Sequence, residues 1–214
     1  MSPYGDIYLY RKKNNNMEKN RSQTEQRLIS SVEELVRDQG FEKLGVRMVA
    51  DKAGVDKNLI YRYFGSLDGL IYACLKKHDF WSNFPLEIPE KGDLKSYIKE
   101  LFRKQVTDLR NNDILKRLLR WELSNVNEFV SELRKQREEN GLKRIKMISS
   151  IVNISFEELA AISSIISGGI TYLVILEGNC QYYNGIDIQS DEGWGKLLKG
   201  IDNMIDLKYN ENGN

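Results

Sequence analysis

The sequence predicts an all-α protein, because three observations favour helices over sheets. Apolar residues recur at helical spacing through most of the chain. The 214 residues include only 3 prolines, and proline is the residue that interrupts helices most strongly. No segment shows a convincing alternation of apolar and polar residues, as a half-buried strand would. We therefore expect about nine helices.

The composition is that of a soluble globular protein rather than a disordered one, with 41% hydrophobic and 29% charged residues. No apolar run approaches the ~20 residues of a membrane span, and the N-terminus lacks the pattern of a signal peptide. These features predict a cytoplasmic protein that contacts no membrane. Cys74 and Cys180 match no metal-binding spacing, and a single histidine excludes a multi-histidine metal site.

The first 21 residues differ from the rest of the chain. They contain Arg11-Lys12-Lys13 followed by three asparagines, with no apolar period. We interpret residues 1–21 as a flexible arm, either a plain disordered tail or a basic segment that touches phosphate. The Ser22-x-x-Glu25 spacing is typical of a capping box, so we expect the first helix to begin there and to end at Gly40.

Two short helical segments, near residues 46–53 and 57–64, flank Gly54. Glycine adopts the left-handed conformation that a tight turn needs at low cost. Ala50 is small where a crossing helix would pass, and Asp56 is placed to cap the second helix. This spacing predicts a helix-turn-helix.

The second of these helices has the side chains that the major groove of DNA requires. Lysine and arginine pair with phosphates or guanine, asparagine with adenine, and tyrosine hydroxyls with phosphates. The first 80 residues also carry 14 Lys and Arg against 11 Asp and Glu, a weak basic bias. The alternative is that the tyrosines are core aromatics. The candidate DNA-binding residues are Arg47, Lys57, Asn58, Leu59, Tyr61, Arg62 and Tyr63.

A family resemblance rests on five short motifs: Gln39-Gly40-Phe41, Val46-Arg47-Met48-Val49-Ala50, Ala53-Gly54-Val55, Ile60-Tyr61-Arg62-Tyr63-Phe64 and Ser66-x-x-x-Leu70. The stretch that contains them, about 22–80, resembles the TetR family of bacterial repressors. The resemblance implies an N-terminal three-helix DNA-binding domain and a C-terminal helical domain for ligand binding and dimerisation. It also implies repression that a bound ligand relieves.

The chain departs from the family pattern at four positions. Gly45 lies where Ser or Thr is common, and Asn58 and Leu59 lie where Gly and Thr are common. Leu67 occupies a position where a phosphate-binding lysine is frequent. These departures put individual phosphate contacts in doubt and leave the packing residues unchanged.

Pro85 and Pro89 mark the expected domain boundary. We place the DNA-binding domain and its connecting helix at 22–82, and the regulatory and dimerisation domain at 83–214. Small residues within 159–176 suit a close helix–helix approach, so we expect a homodimer through the last two helices. The alternative is an ordinary intramolecular core.

A small apolar or aromatic effector is the expected ligand of the C-terminal domain, although each candidate side chain also suits a plain core. The chain lacks the G-x-S-x-G, phosphate-loop and G-x-G-x-x-G motifs, so we predict neither an enzyme nor a cofactor. Two rival functions remain, a DNA-binding dimer without an inducer and a protein–protein adaptor with a vestigial helix-turn-helix. The candidate ligand-binding residues are Trp81, Phe84, Tyr97, Phe102, Trp121, Phe129 and Tyr172.

Overall fold

A computed structural model describes the backbone of residues 3–41, 43–79 and 94–212. The chain divides into two compact units, Met1–Lys77 and His78–Asn214. This division falls a few residues before the boundary expected near residue 82. Candidate ligand residues Trp81 and Phe84 lie outside the described residues.

Helices make up almost all the regular structure of the described residues, which confirms the predicted all-α class. A two-residue antiparallel hairpin, in which Tyr182 pairs with Asp187, is the exception in that part of the chain. In chain order the elements are α1 (Pro3–Gln39), α2 (Val46–Ala53), α3 (Asn58–Phe64), α4 (Leu67–His78), α5 (Leu94–Arg110), α6 (Asp113–Ser124), α7 (Glu128–Ser149), α8 (Phe156–Leu176), β1 (Tyr182–Tyr183), β2 (Ile186–Asp187) and α9 (Asp191–Asn212).

The first helix begins at Pro3, so the predicted start at Ser22 is wrong and the expected arm is helical. Thr24 donates to the carbonyl of Asn20 at 2.8 Å, as a residue inside a helix does. Arg21 and Glu25 form an i,i+4 ion pair rather than a helix start. The sequence of this segment has no apolar period, but the backbone can form helical hydrogen bonds without one.

One face of α1 supplies the largest share of the core of the first unit. Its apolar side chains pack with the buried faces of α2, α3 and α4, so the apolar spacing predicted this core correctly. Ser66 caps α4 by accepting the backbone N–H of Gly69 at 3.0 Å. The buried residues are Leu28, Ile29, Val32, Leu35, Val36, Val49, Ala50, Ala53, Ile60, Leu70, Ile71, Cys74 and Leu75.

Helices α5 and α8 form the centre of the second unit. Helix α5 packs against α6, α8 and α9, and α8 also packs against α6 and α7. Ser155 accepts the backbone N–H of Glu158 at 3.2 Å, as its capping-box spacing predicts. A layer of Leu, Ile, Val and Phe side chains fills the space between these helices.

Helix α8 is long and apolar enough to cross a membrane by length and composition. The expectation that no segment approaches this length is therefore wrong for Phe156–Leu176. Its Ser, Gly, Ala and Thr residues are nearly neutral, so they do not offset its isoleucines and leucines. In the second unit one side of this helix is buried through Leu159, Ile166, Ile170 and Val174, whereas most of its residues are not buried.

The opposite side of α8 faces outward. Ile165 is 75% exposed and Tyr172 is 54% exposed, and Ala161 and Gly168 lie on the same face. We call these four residues, with Gly169, the outer face of α8. On α9, Met204 and Leu207 are also exposed.

Candidate DNA-binding surface and internal cavity

The turn between α2 and α3 is built on Gly54. Its φ of +63° and ψ of 43° are left-handed, a conformation that costs a residue with a Cβ about 1–2 kcal/mol. The N–H of Val55 donates to the carbonyl of Ala50 at 3.0 Å, which closes the end of α2. The predicted role of this glycine is confirmed.

Arg27 of α1 holds this turn in place. Its Nη2 donates to the backbone carbonyls of Ala53 and Gly54, the latter at 3.1 Å. A cation at a helix C-terminus also interacts favourably with the helix dipole. Sequence reasoning missed this residue because the contact joins positions 26 apart, and no local motif marks it.

The start of α3 depends on Asp56. Its carboxylate accepts the backbone N–H of Asn58 at 2.7 Å, so it caps α3 as predicted, although the helix itself begins at Asn58. By contrast, Gly45 at the start of α2 makes no side-chain capping bond. Glycine has no side chain that could accept this bond, whereas Ser or Thr is common at this position of the family pattern.

Helix α3 has one buried and one open side. Ile60 is fully buried, whereas Tyr61 is 51% exposed and Arg62 is exposed beside it. The alternative of Tyr61 as a core aromatic does not fit this exposure. Among the other candidates, the exposed ones are Arg47, Lys57 and Asn58, and the half-buried ones are Leu59 and Tyr63.

Tyr63 lies between two cations. The guanidinium of Arg21 is 5.2 Å from the centre of its ring, and that of Arg62 is 6.0 Å away. These contacts fix the orientation of a side chain that borders the open side of α3. They also place Arg21 of α1, a residue that sequence reasoning missed, next to the candidate DNA-binding residues.

The second unit contains a half-open cavity of about 510 Å³, a size typical of small-molecule sites. Aliphatic side chains and one aromatic ring, Phe102, line the part formed by α5 and α6. Helices α7 and α8 line the rest with apolar side chains, with arginines, with Glu138 and with hydroxyl side chains, and Asp79 borders it as well. These residues include Leu142, Ile145, Ile148, Ala160, Arg137, Arg144, Ser163 and Ser167.

Charged side chains near the cavity form a buried network. Arg137 Nε is 2.6 Å from Asp79 Oδ1, and its Nη1 is 2.7 Å from Glu122 Oε2. The side chains of both carboxylates are less than 10% exposed. Arg134, which is more open, also binds Glu122 at 3.3 Å.

The candidate ligand residues divide around this cavity. Phe102 lines it, and Tyr97 contacts Arg144 of its wall. Trp121, Phe129 and Tyr172 are described, but they are not among its lining residues. Tyr172 instead packs edge-on against Tyr183, with ring centres 6.0 Å apart.

Residues 28–74, which span the turn and the helices around it, match the family model of bacterial regulatory proteins of the tetR family. This segment is therefore similar to the tetR family of bacterial regulatory proteins. The match covers α2 and α3 completely, and it includes the buried face of α1 and most of α4. Of the curated proteins, none matches the sequence of the chain.

Solved structures extend the likeness beyond the tetR segment to the fold of nearly the whole chain. A TetR-family regulator from Mesorhizobium loti gives a TM-score of 0.60 at 13% identity, covering 91% of this chain and 98% of that one. NalD from Pseudomonas aeruginosa, described as the secondary repressor of the MexAB-OprM multidrug efflux pump, gives 0.59 at 15%, covering 86% and 95%. A TetR-like regulator from Rhodococcus gives 0.54 at 16%, covering 84% and 93%.

Proposed function

We propose that this protein is a sequence-specific DNA-binding transcriptional regulator, a cytoplasmic repressor that a small ligand releases from its operator. The observation that carries the proposal is the open side of α3 within a tetR-type segment. Tyr61 and Arg62 are exposed there, although the same helix is anchored by the buried Ile60. A helix held in this way presents its side chains to the major groove.

Each exposed side chain has a chemical role in this proposal. Arg62 and Lys57 bind phosphates or guanine edges, and Asn58 binds adenine or phosphate. Tyr61 donates its hydroxyl to a phosphate. Arg47, exposed in the first turn of α2, holds the DNA backbone. The half-buried Leu59 lies near a thymine methyl group, and Tyr63 orients Arg62 through its ring.

Binding to operator DNA tests the proposal directly. We expect the full-length protein to bind DNA from immediately upstream of its own gene far more tightly than random DNA. Tyr61→Ala/Arg62→Ala should lower this affinity about 100-fold, because each lost contact contributes about 1–3 kcal/mol. Fluorescence anisotropy across a salt series measures both effects, and affinity should fall as salt rises.

A matched variant controls for unspecific loss of binding. Tyr182→Ala/Lys146→Ala also removes one exposed tyrosine and one positive charge, but from the second unit, and it should leave operator affinity unchanged. Genomic fragments selected by the wild-type protein extend the test beyond the upstream region. The proposal fails if no fragment binds more tightly than random DNA, or if both double variants behave alike.

The proposed regulator acts as a homodimer through α8 and α9. Two recognition helices must lie about 34 Å apart to enter successive major-groove turns, so two copies must be joined. The outer face of α8 suits this role. A Cβ at Gly168 or Gly169 would meet nothing within 4 Å, so nothing within the described part of one chain requires glycine there. Mid-helix glycine costs about 1 kcal/mol, which close approach of a second helix would explain.

Gly168→Leu should convert the dimer to a monomer without unfolding it. The leucine side chain would enter the space that the partner helix occupies, whereas within one chain that space is open. Analytical ultracentrifugation measures the mass, and circular dichroism measures the helix content. Ser131→Leu, at an exposed position of α7, should remain dimeric. A dimeric Gly168→Leu protein would contradict this interface.

The cavity in the second unit supports control by a small molecule. Its volume of about 510 Å³ is large enough for a ligand, and most of its wall is apolar. The rival reading, a DNA-binding dimer without an inducer, predicts a tightly packed second unit. We therefore favour a ligand that shifts the population of dimers away from the DNA-binding state.

A further inference from the structure

The cavity wall in the second unit is mostly apolar and carries one polar patch, formed by residues of α7 and α8. Helices α5 and α6 contribute Leu101, Phe102, Leu109, Leu115 and Leu119. Helices α7 and α8 add apolar side chains as well, together with hydroxyl groups, three arginines and Glu138, and the carboxylate of Asp79 also lies at the wall. A purely apolar ligand would leave these polar groups against hydrocarbon. Burial of polar groups without hydrogen bonds is costly. The apolar wall and its polar patch together favour a ligand with an apolar body and a polar head.

Arg144 determines the charge of that head. The residue is only 4% exposed, and it lines the cavity from α7. Burial lowers the pKa of its guanidinium, while the neighbouring Tyr97 hydroxyl favours the charged form. Arginine nevertheless stays protonated in proteins. An anion in the cavity would offset the loss of hydration of this cation.

Arg137 provides a second donor on the same face of α7. Its Nε and Nη1 bind Asp79 and Glu122, but its buried Nη2 has no acceptor among the described residues. A buried N–H without an acceptor is rare and destabilising. Because Arg137 lines the cavity, a ligand oxygen can supply the acceptor that the protein does not.

The space between these two arginines is left open. Gly141 lies between them, one turn from each, and a Cβ there would meet nothing within 4 Å. Ser163, Ser164 and Ser167 of α8 line the cavity as well and can donate to a bound oxygen. We call Arg137 and Arg144 the arginine pair.

We propose that this cavity binds an amphipathic organic acid, with its carboxylate at the arginine pair and its apolar body between α5 and α6. A single carboxylate fits better than a phosphate dianion, because two of the Arg137 nitrogens are already bonded to protein carboxylates. The inference names the ligand class of the proposed regulator. Its regulatory meaning therefore rests on the proposed function, whereas the binding itself does not.

Calorimetric titration of the full-length protein without DNA tests the head group. We would use two matched pairs of probes, decanoate with 1-decanol and 1-naphthoate with 1-naphthalenemethanol. Each pair shares its apolar body and differs in charge. In at least one pair the acid should bind about tenfold more tightly than the alcohol, because a charge-assisted hydrogen bond replaces a neutral one. Equal affinity within both pairs, or no binding of any probe, would overturn the proposal.

Variants of α7 locate the acid. Arg144→Gln should remove the preference for the acid and leave alcohol affinity unchanged. Arg144→Lys, which keeps the charge, should retain part of the preference and serves if the glutamine variant does not fold. Lys143→Gln removes one charge from an exposed neighbour and should have no effect. A folded Arg144→Gln protein that still prefers the acid would refute the assignment.

The same protein preparations separate this inference from the proposed function. Operator affinity, measured by anisotropy without any acid, depends on α3 and not on the cavity. Intact operator binding with no acid preference would reject only the ligand class. A clear acid preference without specific DNA binding would reject only the regulator.

Discussion

Arg137→Met is expected to lower the free energy of unfolding by about 3 kcal/mol, since removal of one partner from a buried ion pair is strongly destabilising. The Arg137 side chain is 17% exposed, and it lies between the nearly buried carboxylates of Asp79 and Glu122. Methionine fills a similar volume but takes both charge-assisted bonds away. Urea unfolding of the full-length protein at one fixed concentration measures the effect.

Arg134→Met provides the comparison within the same network. Arg134 also binds Glu122, but its side chain is 47% exposed, so water replaces much of the lost interaction. We expect a loss of less than about 1 kcal/mol. Similar losses in the two variants would mean that the Arg137 pairs are as solvated as a surface ion pair.

Ile60→Ala is expected to destabilise the first unit by about 3 kcal/mol. Ile60 lies on the inner side of α3 and is fully buried, so truncation removes apolar contacts and leaves a cavity. Ile60→Val removes one methylene group and should cost about 1 kcal/mol. Thermal unfolding followed by circular dichroism, with operator affinity measured on the same samples, gives both consequences.

The neighbouring residue separates stability from recognition. Tyr61→Ala changes an exposed side chain, so it should alter stability by less than about 0.5 kcal/mol and still weaken operator binding. Ile60→Ala should do the reverse at temperatures where it remains folded. A large stability loss in Tyr61→Ala would instead place that ring in the core.

The helix-turn-helix was predictable from the sequence because its determinants are local. The left-handed turn needs glycine at position 54, the small crossing point needs Ala50, and the capping carboxylate belongs to Asp56. Each lies within a few residues of the feature that it stabilises. The buried face of α1 was equally visible, since a 3.6-residue period records burial directly.

Other features depend on residues far apart in the chain, and no local pattern encodes them. Arg27 meets the turn across 26 positions, and Arg137 meets Asp79 across 58. The cavity shows the same limit. The sequence predicted aromatic side chains in its wall, yet Phe102 alone lines it among the five candidates that lie within the described residues. Whether the others contact a ligand stays a prediction.

The start of α1 was missed for a different reason. Apolar periodicity reports which residues are buried, and residues 3–21 lack such a period. Helix formation requires only that backbone donors and acceptors pair along the chain, and an existing helix is extended more easily than a new one is nucleated. The segment therefore continues α1 as a helix, although its sequence has no apolar period.

In the proposed dimer, the outer face of α8 would set how the protein responds to its own abundance. If two copies share this face, the species that recognises DNA is a dimer. Its concentration then depends on the square of the monomer concentration. At low abundance, where monomers predominate, doubling synthesis then raises the dimer fourfold, and halving synthesis lowers it fourfold. Gly168 and Gly169 destabilise an isolated helix, but they would thus make the occupancy of DNA depend more steeply on protein abundance than it does for a regulator that binds as a single chain.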